Sequence, residues 1–139
     1  MSEPVNKLPD FDSLFDSKNL EKTGRLLDEL IPVAKASGNV EYFLQLLTQI
    51  ARLQGLCTEF KEAHLTLDEV QESITPETPI AKIRYFLERG RVFNSSQETA
   101  NALIMFARAN ELALEAKSDP LAVDAAQMKA LVESENDKK

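Results

Sequence analysis

The sequence lacks the residues on which several classes of protein depend. It contains one cysteine, one histidine and no tryptophan. A single cysteine excludes an internal disulfide framework, and one cysteine with one histidine cannot supply the ligands of a common zinc site. No glycine-rich phosphate loop occurs. We therefore expect no metal, no cofactor and no catalytic residue, and we predict that the chain is not an enzyme.

The lone histidine and the lone cysteine both have ordinary structural interpretations. His64 follows Ala63 in an amphipathic segment, which predicts a structural or surface side chain. Cys57 lies in a turn between two helical segments, and no basic residue stands beside it to lower the pKa of its thiol. We expect a half-buried, unreactive thiol.

Long apolar runs and a strong positive charge are also missing. No run of 18 apolar residues exists, so no transmembrane helix is predicted. The N-terminal sequence MSEPVNKLPDFD has neither the basic nor the apolar region of a secretory signal. The formal net charge of −7 disfavours nonspecific binding to nucleic acid or anionic membranes, because both are polyanions. We expect a cytoplasmic protein without nucleic-acid or membrane partners.

Residues that break helices are sparse, with four glycines and six prolines. No segment alternates between apolar and polar residues as a strand does, and no Asn-Gly or Asp-Gly hairpin turn occurs. Apolar residues recur instead at helical spacing, in segments separated by turn signals such as Ser37-Gly38-Asn39 and Thr75 to Pro79. The sequence predicts an all-α fold with about six to seven helices.

The predicted organisation is one helical domain between two short polar ends. Residues 1–9 are predicted to be a flexible lead-in, after which Asp10 begins a short helix from Phe11 to Ser17. The helical domain covers residues 10–134, and residues 135–139 form a charged tail. Within the domain we predict two core repeats with a flanking helix on each side, at residues 44–77, 83–117, 19–36 and 119–132.

The second core repeat has the clearest pattern of large and small residues. Spacing of i, i+4, i+7 places one set on each of two helices: Phe86, Gly90 and Phe93, then Ala102, Phe106 and Ala109. A glycine within a helix costs about 1 kcal/mol relative to alanine, so we expect Gly90 to allow close approach of the partner helix. Between the helices, Ser95 and Glu98 have the spacing of a capping box.

The two core repeats align with each other when Ala63 is placed over Ala102, an offset of 39 residues. One further advance from Phe86, Gly90 and Phe93 reaches Leu121, Ala125 and Met128. These positions resemble the tetratricopeptide repeat family, whose repeat is roughly 34 residues long. Matching positions in the first core repeat are Leu47, Ile50, Ala51, Phe60, Ala63, Leu67 and Val70. Gln54 and Arg89 depart from the pattern, because the family has an aromatic residue and a leucine there.

The segment from Leu27 to Val70 also looks like the N-terminal part of longer bacterial proteins that carry many such repeats. The resemblance implies antiparallel helix pairs that stack into a right-handed superhelix with a concave groove. It further implies a protein-binding scaffold whose groove is lined by the first helix of each pair.

The groove positions implied by the resemblance are Arg52, Arg84, Leu87, Arg91 and Asn94. Arginine forks suit carboxylates, so an acidic peptide or a C-terminal carboxylate is the expected ligand. The alternative is a solvated face on which the arginines pair with Glu88 and Glu98. The clamp that some family members use for chaperone tails does not carry over, because Thr48, Arg52 and Glu88 stand at its positions.

A second hypothesis concerns the final helix, at residues 119–132. It has no partner helix after it in this sequence, so we expect its apolar face to be only partly covered. That face consists of Leu121, Ala125, Met128 and Val132. The chain would then be a structural or self-associating fragment of a longer repeat array, which docks or forms a homodimer through this helix.

Overall fold

The structure is a computed structural model that describes residues 8–137 of the chain. This part is all-α and contains no strand. Seven helices follow one another in it: α1 (Phe11–Leu14), α2 (Leu20–Ser37), α3 (Val40–Leu56), α4 (Phe60–Ser73), α5 (Pro79–Ser95), α6 (Thr99–Glu115) and α7 (Asp119–Asp137). The predicted all-α fold class and helix number are confirmed. None of these helices has the length and apolar character that a bilayer span requires.

Both ends of the chain differ from the predicted organisation. Most of the predicted lead-in, residues 1–7, and the last two residues of the predicted tail lie outside the described residues. Helix α7 continues to Asp137, beyond its predicted end at residue 132. Helix α1 is shorter than predicted because Phe15 is already extended, with φ −78° and ψ 116°.

Several helix boundaries follow the chemistry read from the sequence. The side chains of Asn19 and Asn39 accept hydrogen bonds from the amides of Lys22 (3.1 Å) and Tyr42 (3.0 Å), as N-caps do. Helix α2 ends at Gly38, whose φ of 73° is the left-handed conformation of a helix C-terminus. The predicted turn at Ser37-Gly38-Asn39 is therefore confirmed.

The predicted capping box at Ser95 is wrong. Ser95 is the last residue of α5, and Glu98 is the N-cap of α6 without a side-chain hydrogen bond to the helix amides. The hydroxyl of Ser96 donates instead to Oε2 of Glu98 at 3.0 Å. The box fails because Ser95 still belongs to α5 and the N-cap position of α6 falls three residues later, at Glu98.

The turns that follow α3, α5 and α6 share one backbone geometry. Each places a non-glycine residue at positive φ: Thr58 (60°), Gln97 (67°) and Lys117 (59°). In each, the next amide bonds a carbonyl five residues earlier at 2.8 Å, as in a Schellman motif. The first two turns are 39 residues apart, like the residue pairs that join α3 to α5. The internal repeat therefore extends to the backbone of the turns.

Close packing of α5 and α6 depends on Gly90. A Cβ atom at this position would lie 2.6 Å from the ring of Phe106, which is fully buried. Phe106 thus fills the space that a side chain at residue 90 would need, and the predicted close approach at Gly90 is confirmed.

The apolar face of α7 is covered, contrary to the prediction. Leu121, Ala125 and Val132 are all at most 7% exposed, and α7 packs mainly against α6. The large apolar side chains that α7 leaves in solvent are Val123 and Leu131, at 53% and 50% exposure. Met128, the fourth residue of the predicted face, is partly buried against the same core, to which α5 also contributes.

Candidate functional site

Six polar side chains on α3 and α5 form one surface, which we call the inner face. They are Gln45, Gln49 and Arg52 on α3 with Arg84, Glu88 and Arg91 on α5. Positions three or four residues apart on a helix share a side, which is why each helix contributes a row. Two of the three pairs of equivalent residues contact each other. Nε of Arg84 donates to Oε1 of Gln45 at 2.9 Å, and Nε2 of Gln49 lies 3.5 Å from Oε2 of Glu88.

Arg91 joins α5 to α7 through two carboxylates. Its Nη2 lies 2.7 and 2.8 Å from the two oxygens of Asp124, and its Nη1 donates to Oε2 of Glu88 at 2.6 Å. Burial disfavours the charged form of Arg91, but the carboxylates of Glu88 and Asp124 outweigh it and raise the pKa. Because Asp124 and Glu88 hold it, this guanidinium has few free donors for a ligand.

Glu88 is the buried centre of these contacts. It is 0% exposed, and its Oε1 has no hydrogen-bond partner among the described residues. The same is true of Oε1 of Gln49. A buried carboxylate depends strongly on its remaining partners, so the ion pair with Arg91 is a structural requirement of α5.

Arg84 is covered by the N-terminal segment. It is only 8% exposed, its Nη1 lies 3.7 Å from Oδ1 of Asp12, and its guanidinium carbon lies 5.9 Å from the ring centre of Phe11. Its Nε is already bonded to Gln45. Arg84 therefore lies on the inner face as predicted, but the chain itself occupies it.

Leu87 does not contact any ligand on the inner face. It is 0% exposed and packs in the apolar core that α5, α6 and α7 share. The prediction of an apolar groove contact at this residue is wrong. The reason is packing rather than helical period: residue 87 lies beside the row of Arg84, Glu88 and Arg91, but the apolar core covers its side chain completely.

Arg52 differs from the other two arginines of the site. Its guanidinium carbon lies 4.3 Å from the ring centre of Phe15, within cation–π distance. No salt bridge or side-chain hydrogen bond joins it to another of residues 8–137. Burial lowers its pKa, and the nearby carboxylate of Glu88 offsets that effect only in part. Arg52 is thus a partly desolvated cation whose donors are available.

Arg52, Arg91 and Asn94 line a single cavity of about 200 Å³. Its other walls are Ser17, Gly55, Leu56, Val92, Ser95 and Met128. Three of the five predicted groove residues are therefore brought together, whereas Arg84 and Leu87 are not part of this cavity. The walls offer guanidinium, amide and hydroxyl donors, which suit a carboxylate. We call this space the arginine cavity.

A larger cavity, of about 530 Å³, lies where the α4–α5 turn meets the end of α6. Its walls are mainly apolar and include Ile74, Pro76 and Leu112, with Lys82 and Glu115 as its charged residues. No residue of the predicted site belongs to it. It has no set of convergent polar groups and so carries no specific chemistry.

The two residues that depart from the repeat pattern, Arg89 and Gln54, each make polar contacts with a neighbouring helix. Arg89 is 7% exposed and donates to Nδ1 of His64 (2.9 Å), to Oδ1 of Asp68 (2.7 Å) and to the hydroxyl of Tyr85 (3.1 Å). Gln54 accepts a hydrogen bond from Thr66 at 2.8 Å. Both residues connect a helix to its neighbour through polar contacts.

His64 has the structural role that was predicted for it. Arginine has no acceptor, so Nδ1 of His64 must accept the bond from Arg89 and carries no proton. Burial and the charge of Arg89 both lower the pKa of this imidazole. Cys57 is exposed rather than half-buried. Among the described residues, no group of three or more metal-ligating side chains comes together.

Sequence reasoning missed the segment that lies on the inner face. Phe11, Asp12 and Phe15 contact groove residues, but they were assigned only to a short first helix. A usable signal existed, since two phenylalanines four residues apart with an acid between them complement arginines. No protein-family model, curated protein or solved structure matches the chain. The resemblance to tetratricopeptide repeats therefore stays a prediction.

Proposed function

We propose that this chain is a non-enzymatic helical-repeat module that binds a carboxylate-bearing segment of another protein at the arginine cavity. The observation that supports it is Arg52, a partly buried guanidinium beside a cavity and without an anionic partner among residues 8–137. Membership of the tetratricopeptide repeat family and a cytoplasmic location are parts of the same proposal. The fold class agrees with it, because helical repeats present their inner helices to ligands.

A carboxylate suits the cavity better than a cation or an apolar group does. Arg52 can offer paired N–H donors, and Asn94 adds an amide on the same wall. Charge-assisted hydrogen bonds of this kind are about twice as strong as neutral ones. A bound carboxylate would also compensate for the burial that lowers the pKa of Arg52. Recognition would depend on Arg52 first and on Asn94 second.

The test uses the full-length chain, tagged at its C-terminus, on a peptide array. Every acidic peptide on the array has a twin with Asn for Asp, Gln for Glu and a C-terminal amide. The wild type should bind a subset of the acidic peptides and should not bind the neutral twins of those peptides. Arg52→Ala should weaken that binding at least about tenfold, which corresponds to about 1.4 kcal/mol.

The matched control is Arg25→Ala, which removes the same charge from an exposed position on α2. It should leave binding to the acidic peptides unchanged. If Arg25→Ala weakens binding as much as Arg52→Ala does, the array reports only net charge and the proposal fails. It also fails if the acidic peptides and their twins bind alike.

A further inference from the structure

The inner face already has an occupant, which is residues 9–17 of the same chain. We call these residues the N-terminal segment. Its first anchor is Phe11, which is 3% exposed and stacks on the ring of Tyr42 with centroids 4.6 Å apart. Asp12 follows, 3.7 Å from Arg84. Phe15 is the second anchor, beneath the guanidinium of Arg52.

Hydrogen bonds hold this segment at both ends. The hydroxyl of Tyr42 donates to the carbonyl oxygen of Pro9 at 2.7 Å. At the other end, the hydroxyl of Thr23 donates to the carbonyl oxygen of Asp16 and accepts from its amide, both at 3.0 Å. The segment therefore has a defined register on the inner face.

The conformation of this segment is that of a bound peptide. Helix α1 contains four residues, and so short a helix is not stable by itself in water. Its shape must come from the surface against which it lies. The contacts with Tyr42, Arg52 and Arg84 are made by side chains that a separate peptide could supply equally well.

The chemistry of the contacts is specific. Two phenylalanines four residues apart lie on one side of a helical turn, and each meets an arginine of the inner face. An acid directly after the first phenylalanine meets Arg84. A segment with one phenylalanine, or with a base in place of Asp12, would leave part of this surface unmatched.

We propose that the N-terminal segment is a ligand held in cis, and that the partner bound in trans is a short acidic segment with the same Phe-Asp-x-x-Phe pattern. This inference goes beyond the proposed function, because the acid of the segment pairs with Arg84 and a phenylalanine, not a carboxylate, meets Arg52. The partner segment displaces residues 9–17, places one phenylalanine on Tyr42 and the other under Arg52, and pairs its acid with Arg84. The chain as it stands is therefore self-inhibited.

The tether makes this inhibition effective. A segment joined by a short linker competes at an effective concentration on the order of millimolar. The affinity for a peptide in trans is then reduced by the fraction of molecules in which the inner face is open. Weakening the cis contacts should accordingly tighten binding in trans, which a purely structural segment would not do.

The experiment measures anisotropy of a fluorescent peptide with the sequence LPDFDSLFDSK, residues 8–18 of the chain. It is titrated with the full-length wild type and with Phe15→Ala, a substitution at a half-buried residue outside every helix. The Phe15→Ala chain should bind the peptide at least about tenfold more tightly, about 1.4 kcal/mol. A peptide in which both phenylalanines are alanine should not bind either protein.

The control chain is Lys18→Ala, an exposed residue just beyond the segment, which should bind the peptide as the wild type does. Circular dichroism and urea unfolding establish that the variants are folded. A second readout, hydrogen exchange of the wild type, does not depend on any substitution. With saturating peptide, the amides that follow Pro9 in the segment should exchange faster, and those of α3 and α5 should not.

Two results would overturn the inference. The first is a folded Phe15→Ala chain that binds the peptide no more tightly than the wild type. The second is unchanged exchange at residues 9–17 with bound peptide. If acidic array peptides still bind in an Arg52-dependent way, the proposed function stands and the cis ligand alone fails. If Arg52→Ala also leaves array binding unchanged, both fail.

Discussion

Gln49 and Glu88 occupy equivalent positions on α3 and α5, 39 residues apart, and their side chains meet at 3.5 Å with both residues fully buried. The same position of the two repeats is therefore polar in both, and the two side chains contact each other. Burying such a pair is costly unless the carboxylate has a cationic partner. Arg91 is that partner, and its guanidinium also reaches Asp124 on α7. One arginine therefore stabilises the contacts among three helices.

Replacing Arg91 by alanine should destabilise the protein. The substitution leaves the carboxylate of Glu88 buried without its ion pair and also breaks the ion pair between α5 and Asp124 of α7. Removing one partner of a buried pair costs about 3 kcal/mol or more. Urea unfolding followed by circular dichroism measures the loss. A binding test that replaces Arg91 would therefore report on folding as well.

Two comparisons show whether the buried carboxylate is the cause. Adding Glu88→Gln to Arg91→Ala removes the uncompensated charge and should restore part of the lost stability. Arg108→Ala breaks an exposed ion pair with Glu111 and should cost less than about 1 kcal/mol. Equal losses for Arg91→Ala and Arg108→Ala would contradict the structural role of Arg91.

Gly90→Ala should also destabilise the chain, although alanine is the better helix former. The new Cβ would lie 2.6 Å from the Phe106 ring, so α5 and α6 must separate or the ring must move. Overpacking of this kind costs about 1–3 kcal/mol, more than the gain of about 1 kcal/mol in helix propensity. The free energy of unfolding in urea gives the net effect.

Gly24→Ala is the matched control for Gly90→Ala. A Cβ at Gly24 would meet only the end of the Leu53 side chain, at 3.2 Å, and that side chain can move. We expect Gly24→Ala to be neutral or stabilising. Phe106→Leu should relieve the clash in the Gly90→Ala background. A Gly90→Ala protein as stable as the wild type would contradict the requirement for a glycine where Phe106 packs against α5.

Much of the fold could be predicted because it depends on local chemistry and on period. Asn39 begins α3 and Gly38 ends α2 through bonds and angles of the adjacent backbone. The spacing of Gly90 and Phe106 predicts a contact between consecutive helices. Such signals need only residues that are close in sequence or related by the repeat. The departures at Arg89 and Gln54 were visible too, but not their partners.

The inner face was predicted less well, because a helical face does not determine which charges meet across it. Arg91 was placed on the correct face, yet its contact with Asp124 joins residues 33 positions apart. Leu87 was assigned to the groove from the family's positions, but the packing of α5 against α6 and α7 covers its side chain completely. The N-terminal segment has no counterpart in the repeat, so the period could not locate it.

Glu41 caps α5 from α3, and its loss should destabilise the contact between these helices. Its Oε2 accepts from the amides of Ile80 (2.7 Å) and Ala81 (3.0 Å), two of the first free N–H groups of α5. Replacing a capping acceptor costs about 1 kcal/mol. Glu41→Ala should lose about this much in urea unfolding. Glu62→Ala, in the first turn of α4, should be near neutral, and an equal loss there would contradict the capping role.

The chain should be a monomer, since α6 covers the apolar face of α7. Light scattering after size exclusion should give the 15.5 kDa mass of one chain at every concentration tested. A mass that rises with concentration would instead favour self-association through α7. Leu131→Glu, on the exposed side of that helix, would then restore the monomer, and Leu65→Glu, exposed on α4, would not.

Stability should depend on the protonation of His64. Burial and Arg89 lower the pKa of this imidazole in the folded chain below its ordinary value of about 6.5. Between the two pKa values the unfolded chain binds more protons, so the free energy of unfolding rises with pH there. The contribution is complete above about pH 6.5 and is lost as the pH falls toward the folded pKa. Below the folded pKa it no longer changes.

His64→Asn separates this effect from the titration of carboxylates. The amide oxygen of asparagine can accept the bond from Arg89 but does not titrate, so the variant should lose the part of the pH dependence that lies just below pH 6.5. Urea unfolding of both proteins over a pH series measures the difference. The chain has one histidine, so NMR gives its titration directly. A midpoint at or above 6.5 would mean that the hydrogen bond from Arg89 does not hold Nδ1 unprotonated.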